Sequence, residues 1–130
     1  MKKTLSYLAL LFTLNSFSQN TPCSDFKTGE FKYSNFDFAQ WKIIRNDSVQ
    51  IEINKKTGLE IYSSITWKSD CEYSLICKKV INSQSDKTLE VIGKKFHVII
   101  NETFLDRYKC ISKRNEVQST DITLEMIKIK

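Results

Sequence analysis

Apolar and polar residues alternate along this chain in short runs, the two-residue period of half-buried β-strands. Over residues 59–68, Leu59, Ile61, Ile65 and Trp67 share the odd-numbered face, and Glu60, Thr66 and Lys68 take the other. Over residues 72–80, Tyr73, Leu75 and Cys77 are odd, while Glu72, Ser74 and Lys78 are even. Residues directly opposed in a hairpin share a face, so odd must meet odd. A two-residue loop at Ser69-Asp70 would oppose Trp67 to Glu72. A three-residue loop, Ser69-Asp70-Cys71, opposes Trp67 to Tyr73, Ile65 to Leu75 and Lys68 to Glu72, and is the register expected.

The same reading extends along the chain. Residues 26–33 form a strand interrupted at Gly29, where the glycine marks a bulge or bend, with Phe31 and Tyr33 on one face. Residues 34–40 suit a loop with a helical turn, and residues 41–45 a strand ended by a turn at Asn46-Asp47. Residues 48–54 alternate cleanly, so Val49, Ile51 and Ile53 are expected inward and Gln50 and Glu52 outward. Across the turn at 55–58, Ile53 then faces Leu59 and Ile51 faces Ile61. After a polar stretch, residues 88–92 suit a short strand or one helical turn.

Residues 95–105 return to a strand with Phe96, Val98, Ile100 and Phe104 on its even face and His97, Ile99, Asn101 and Thr103 on its odd face. Asp106-Arg107 turns the chain into residues 108–113, with Tyr108 and Cys110 on one side, and 115–121 is a polar loop. Residues 122–130 alternate through Leu124 and Met126, then slip phase at Ile127 and Ile129, as at a bulge or the closure of a curved sheet. About eight short strands, a single proline and no long helix predict an all-β antiparallel meander. Such a meander closes most economically into a small lipocalin-like barrel, which removes exposed edges; a two-sheet sandwich is the runner-up.

The N-terminus sets the expected compartment. Lys2-Lys3, the apolar run 5–12 and the small residues of Ser16-Phe17-Ser18 have the order of a secretory signal peptide, too short in its apolar part to span a bilayer. Residues 1–18 are expected to be cleaved near Ser18, leaving residues 19–130 as one secreted or periplasmic domain. The two lysines of the leader leave a formal charge of +3 from the chain's +5. The remaining lysines are scattered over outer faces and turns, so no nucleic-acid footprint is expected, and no transmembrane segment.

Export places Cys23, Cys71, Cys77 and Cys110 in an oxidising compartment. Four cysteines allow three pairings. Cys71 and Cys77 would lie ~20 Å apart along one strand, whereas bridged Cα atoms lie within ~7 Å, which disfavours a bond between them. Cys23–Cys71 with Cys77–Cys110, and Cys23–Cys77 with Cys71–Cys110, stay open, as do free buried thiols at Cys77 and Cys110. No close cysteine pair accompanies the single His97, so neither a zinc site nor any other cofactor is expected.

Residues 23–33 (Cys-Ser-Asp-Phe-Lys-Thr-Gly-Glu-Phe-Lys-Tyr), 45–50 (Arg-Asn-Asp-Ser-Val-Gln), 67–75 (Trp-Lys-Ser-Asp-Cys-Glu-Tyr-Ser-Leu) and the closing 126–129 (Met-Ile-Lys-Ile) carry a resemblance. Together they resemble a family of short exported bacterial proteins without established activity, over nearly the whole mature chain. Members of that family circulate under a transferred "DNA topoisomerase IV" name. Such an enzyme needs a nucleotide site, a tyrosine nucleophile in a metal-assisted DNA gate and hundreds of residues; this chain shows no phosphate-cradling glycine loop and carries an export signal. Cys23, Cys71 and Cys110 match the family pattern and Cys77 departs from it, so the resemblance implies a Cys23–Cys71 bridge and argues against a second.

Catalysis finds little footing. His97 is the only histidine, and no nucleophile, base and orienter can be assembled around it by spacing. Asp25, Asp37, Asp70 and Asp106 fall in turns, where aspartate bends backbone, and suggest no carboxylate pair. The aromatics are more telling, because small antiparallel barrels can keep a cavity for one apolar ligand. Phe31, Tyr33, Trp67, Tyr73 and Phe104 are the expected lining. The reading is a non-catalytic exported protein holding a small apolar ligand. The alternatives are a module that binds a protein or associates with the envelope and, furthest behind, a small hydrolase.

Overall fold

The computed structural model describes residues 21–114 and 121–130. The expected signal peptide (residues 1–18), its cleavage near Ser18 and the loop residues 115–120 lie outside the described residues. The strands are β1 (Gly29–Tyr33), β2 (Trp41–Arg45), β3 (Val49–Asn54), β4 (Glu60–Ser69), β5 (Glu72–Ile81), β6 (Lys95–Thr103), β7 (Arg107–Arg114) and β8 (Ile122–Lys128). Each pairs antiparallel with its neighbour in sequence, and β8 returns to β1, closing the sheet into a barrel. The predicted barrel is therefore present and the sandwich is not. Closure sets Phe31 opposite Lys128 and Tyr33 opposite Met126, and neither flank of β8 shows a bulge. The expected slip is therefore absent: β8 runs on in register, with Met126 inward and Ile127 outward between Lys32 and Arg107.

Trp67 lies opposite Tyr73 and Ile65 opposite Leu75, as side-chain parity predicts. The loop between them differs. Ser69, not Lys68, faces Glu72, and a bulge after Trp67 restores the aromatic pair. A second bulge on the β5 side lets Tyr62 face Lys79 while Ser63 faces Cys77.

The larger correction is β3. Arg45 pairs with Gln50 and Ile43 with Glu52, so Gln50 and Glu52 point into the barrel, while Val49, Ile51 and Ile53 lie outside it. Its pairing with β4 moves by one residue from that predicted, with Ile53 opposite Glu60 and Ile51 opposite Tyr62. The outward isoleucines are sheltered by cross-strand neighbours, Ile51 lying between Ile44 and Tyr62.

Residues 26–28 are not strand. Cys23–Phe26 is a 3-10 turn that plugs one end of the barrel, and β1 starts at Gly29 with φ +132. The plug is fastened by the Cys23–Cys71 disulfide and the Lys27–Asp70 ion pair, and by Lys128 Nζ donating to Asp25 O. Phe26 stacks on Tyr108 at 5.2 Å, and beneath it Phe31, Ile43, Ile65, Val98, Ile100 and Met126 form a packed core. The opposite end is covered by short turns: Phe36–Phe38, and the single helical turn α1 (Asp86–Leu89) where a strand or helical turn was expected. Among the described residues no helix is long and apolar enough to cross a membrane.

Candidate ligand cavity

The interior is divided along its axis. Toward the plug it is solid; toward the other end it holds a cavity of about 350 Å³. The wall combines apolar groups (Leu75, Phe96, Val98 and Leu124 among them) with Tyr33, Arg45, Gln50, Glu52 and Ser63, and Phe38 and Trp41 stand at the end bearing the Phe36–Phe38 turn.

Of the five aromatics expected to line a cavity, Tyr33 and Tyr73 do. Phe31 is fully buried in the packed half, edge-on to Tyr108 and 4.6 Å from the Arg45 guanidinium. Trp67 packs on Tyr73 at 4.7 Å and under Lys27 at the plug. Phe104 is displaced by a bulge between Ile100 and Glu102, which makes Thr103 the inward partner of Tyr108 and leaves Phe104 beneath Lys109 on the outside.

The residue that organises the site is Arg45, only 3% exposed. Its Nε and Nη2 donate to Gln50 Oε1 at 3.0 and 2.8 Å, and Nη1 donates to Phe26 O at 2.8 Å. Nη2 also donates to the hydroxyls of Tyr73 (3.2 Å) and Tyr108 (3.0 Å), which bond to each other at 3.0 Å. Burial works against the guanidinium's charge, but Tyr108 and Tyr73 more than offset it, and its pKa lies above the ordinary value. The same burial raises the pKa of both tyrosines, against the pull of Arg45. Among the described residues Arg45 takes part in no ion pair.

Glu52, one pair further along β3, accepts from Tyr33 Oη at 3.1 Å. Enclosure by the wall pushes its carboxyl pKa up, with Tyr33 and Arg45 opposing. Alternation puts Arg45 on the face of Ile43 but marks neither Gln50 nor Glu52 as interior. The available signal is their mutual need: a guanidinium turned inward by the parity of β2 requires acceptors from the adjoining strand.

Cys77 and Cys110 are free, buried, and also in the wall. Burial raises both thiols, that of Cys110 to about 12. His97 lies on the outer face, its Nε2 2.9 Å from Glu72 Oε1 and its Nδ1 3.3 Å from Ser74 Oγ. That bond holds the Glu72 carboxyl below its usual range. An acid is thus within reach of His97, but the three residues share one flat outer face of β5 and β6 and none lines the cavity. Among the described residues no group of three histidine, cysteine or acidic side chains could hold a metal. The chain matches no protein-family model, and no curated protein or solved structure matches it.

Proposed function

We propose that this protein is an exported, non-catalytic barrel that holds one small, largely apolar molecule. The observation that carries the reading is the cavity itself: about 350 Å³ with mostly apolar walls, in the size range of small-molecule sites, inside a barrel braced at one end by a disulfide. The disulfide fits an oxidising compartment. The packed half supplies rigidity, so the cavity is preformed and ordering costs on binding are low.

The test is titration with 1-N-phenylnaphthylamine, an uncharged dye that brightens in apolar surroundings, alongside native mass spectrometry of protein purified from its own periplasm or medium. Saturable binding of one dye per chain, or a bound small molecule in the spectrum, supports the reading. No dye binding together with a bare mass refutes it.

A second reading, a module that docks a protein or the envelope, draws on exposed apolar side chains around the cavity end of the barrel: Phe36, Leu89, Ile92 and Ile122. Barrel closure removes the unpaired edge strand on which such a module would otherwise rely.

A further inference from the structure

The polar floor of the cavity carries more hydrogen-bond donors than the protein uses. Arg45 has five N–H groups. Its Nη1 meets one acceptor, Phe26 O, and so keeps one hydrogen unspent among the described residues. Tyr73 and Tyr108 share one hydroxyl hydrogen between them, and neither hydroxyl donates elsewhere among the described residues, which leaves a second hydroxyl hydrogen without an acceptor there. Gln50 is 4% exposed and spends its Oε1 on Arg45; its Nε2 donates to nothing among the described residues. Ser63, 5% exposed, likewise makes no side-chain hydrogen bond there and lines the cavity. Beside these donors stands a buried cation that forms no ion pair among the described residues. Both features ask for the same thing, because a buried charge or donor left unmatched is costly.

Resting on the reading of the cavity as a ligand site, we infer that its ligand is an aliphatic carboxylate whose head group sits at Arg45, Gln50 and Tyr73, with Tyr108 bonded behind Tyr73, and whose tail lies along Leu75, Phe96, Val98 and Leu124. One negative charge balances the one buried guanidinium, which favours a carboxylate over a doubly charged phosphate; the other arginine of the wall, Arg114, is exposed and lies over the Phe96 ring. In a saturated chain each carbon takes up about as much room as a water in the liquid, ~30 Å³, so the 350 Å³ cavity holds an acid about the length of decanoate. Glu52 shares the cavity, but its carboxyl is bonded to Tyr33 at 3.1 Å, makes no ion pair with Arg45 among the described residues, and has its pKa pushed up by enclosure.

The experiment displaces bound 1-N-phenylnaphthylamine from the full chain with decanoate, decanol and decylammonium, which share one tail and differ in the head. Decanoate should compete at concentrations about tenfold or more below the other two, the scale of hydrogen bonds to a charged group. In Arg45→Met the dye should still bind and the preference for decanoate should vanish. Equal competition by the three, or a lead for decylammonium, overturns the carboxylate assignment while leaving the cavity reading intact. A preference that survives in Arg45→Met overturns the role given to Arg45. If the dye does not bind the natural chain, native mass spectrometry decides: a retained fatty acid upholds the assignment, any other retained molecule overturns it, and a bare mass means that the cavity reading itself fails. Should Arg45→Met not fold, the three-ligand comparison on the natural chain decides alone.

Discussion

Cutting the link between the plug and the β4–β5 hairpin should be the most damaging small change to this barrel. Cys23 and Cys71 are 48 residues apart, and β1 to β4 all lie between them. In the chain-entropy account a bridge closing a loop of that length destabilises the unfolded chain by about 4 kcal/mol. For a domain near one hundred residues each kcal/mol moves the melting temperature by roughly 5 °C, so losing the bridge should lower it by about 20 °C. The native state gives a reason to expect no less. The plug contributes Phe26, which packs on Tyr108, and the carbonyl that accepts from Arg45 Nη1. If the plug loosens, a buried guanidinium loses an acceptor, adding about 1–3 kcal/mol.

The assay is thermal unfolding followed by circular dichroism, comparing the natural chain, the chain in reductant, and Cys23→Ser/Cys71→Ser. The double variant matters because Cys23 is nearly buried and reduction of the folded protein can be slow. A drop within about twofold of 20 °C in the double variant supports the reasoning. A melting curve unchanged in both reductant and the double variant refutes it.

The thiol count follows from the same pairing: Ellman's reagent should find two thiols in denaturant without reductant and almost none in the folded chain at pH 8, since burial holds the Cys110 thiol near 12; zero thiols in denaturant would mean a second bridge. Gly29→Ala should cost about 1–3 kcal/mol in urea unfolding, because φ there is +132 and a β-carbon would collide with the carbonyl of Lys130; a neutral result would contradict the closure of β1 on the C-terminal residues. The inward–outward assignment is checked by Ile43→Ala, expected to cost about 2–5 kcal/mol, against Ile51→Thr on the outside, expected to cost under about 1 kcal/mol; the reverse order would mean that β3 is inverted. Glu52 has a folded-state pKa raised by burial, so its contribution to stability is full below about pH 4.3 and is lost as pH rises through the folded value. Glu52→Gln should therefore flatten the urea midpoint over that window and raise it at pH 7, and a lower midpoint at pH 7 would count against the assignment.

The architecture was legible because most strands obey one rule that a barrel enforces: alternate residues go in, and neighbouring strands must agree. Trp67 opposite Tyr73 follows from it directly, and the bulge at Lys68 only changes how the loop reaches that pairing. Phe104 escaped because a bulge two residues earlier resets the period, and nothing in Asn101-Glu102-Thr103 announces it.

β3 escaped for a different reason, and it is the one that matters for the site. Alternation says which residues share a face, but it does not say which face is inside. That choice is ordinarily settled by placing the apolar set inward, and Val49, Ile51 and Ile53 make the choice look safe. In this barrel the neighbouring strand overrules it. The parity of β2 that buries Ile43 also buries Arg45, and a buried guanidinium tolerates aliphatic neighbours far less well than Ile51 tolerates the outer surface. Pairing Arg45 with Gln50 gives the cation its acceptor, and once that pair is set Glu52 must follow into the cavity. The cost is a row of half-buried isoleucines outside, each worth at most about 1.5–3 kcal/mol of lost burial and partly sheltered by Ile44 and Tyr62. A single inward arginine therefore decides the polarity of two strands, and a polar interior arranged around it is better suited to receiving a ligand's head group than to filling space.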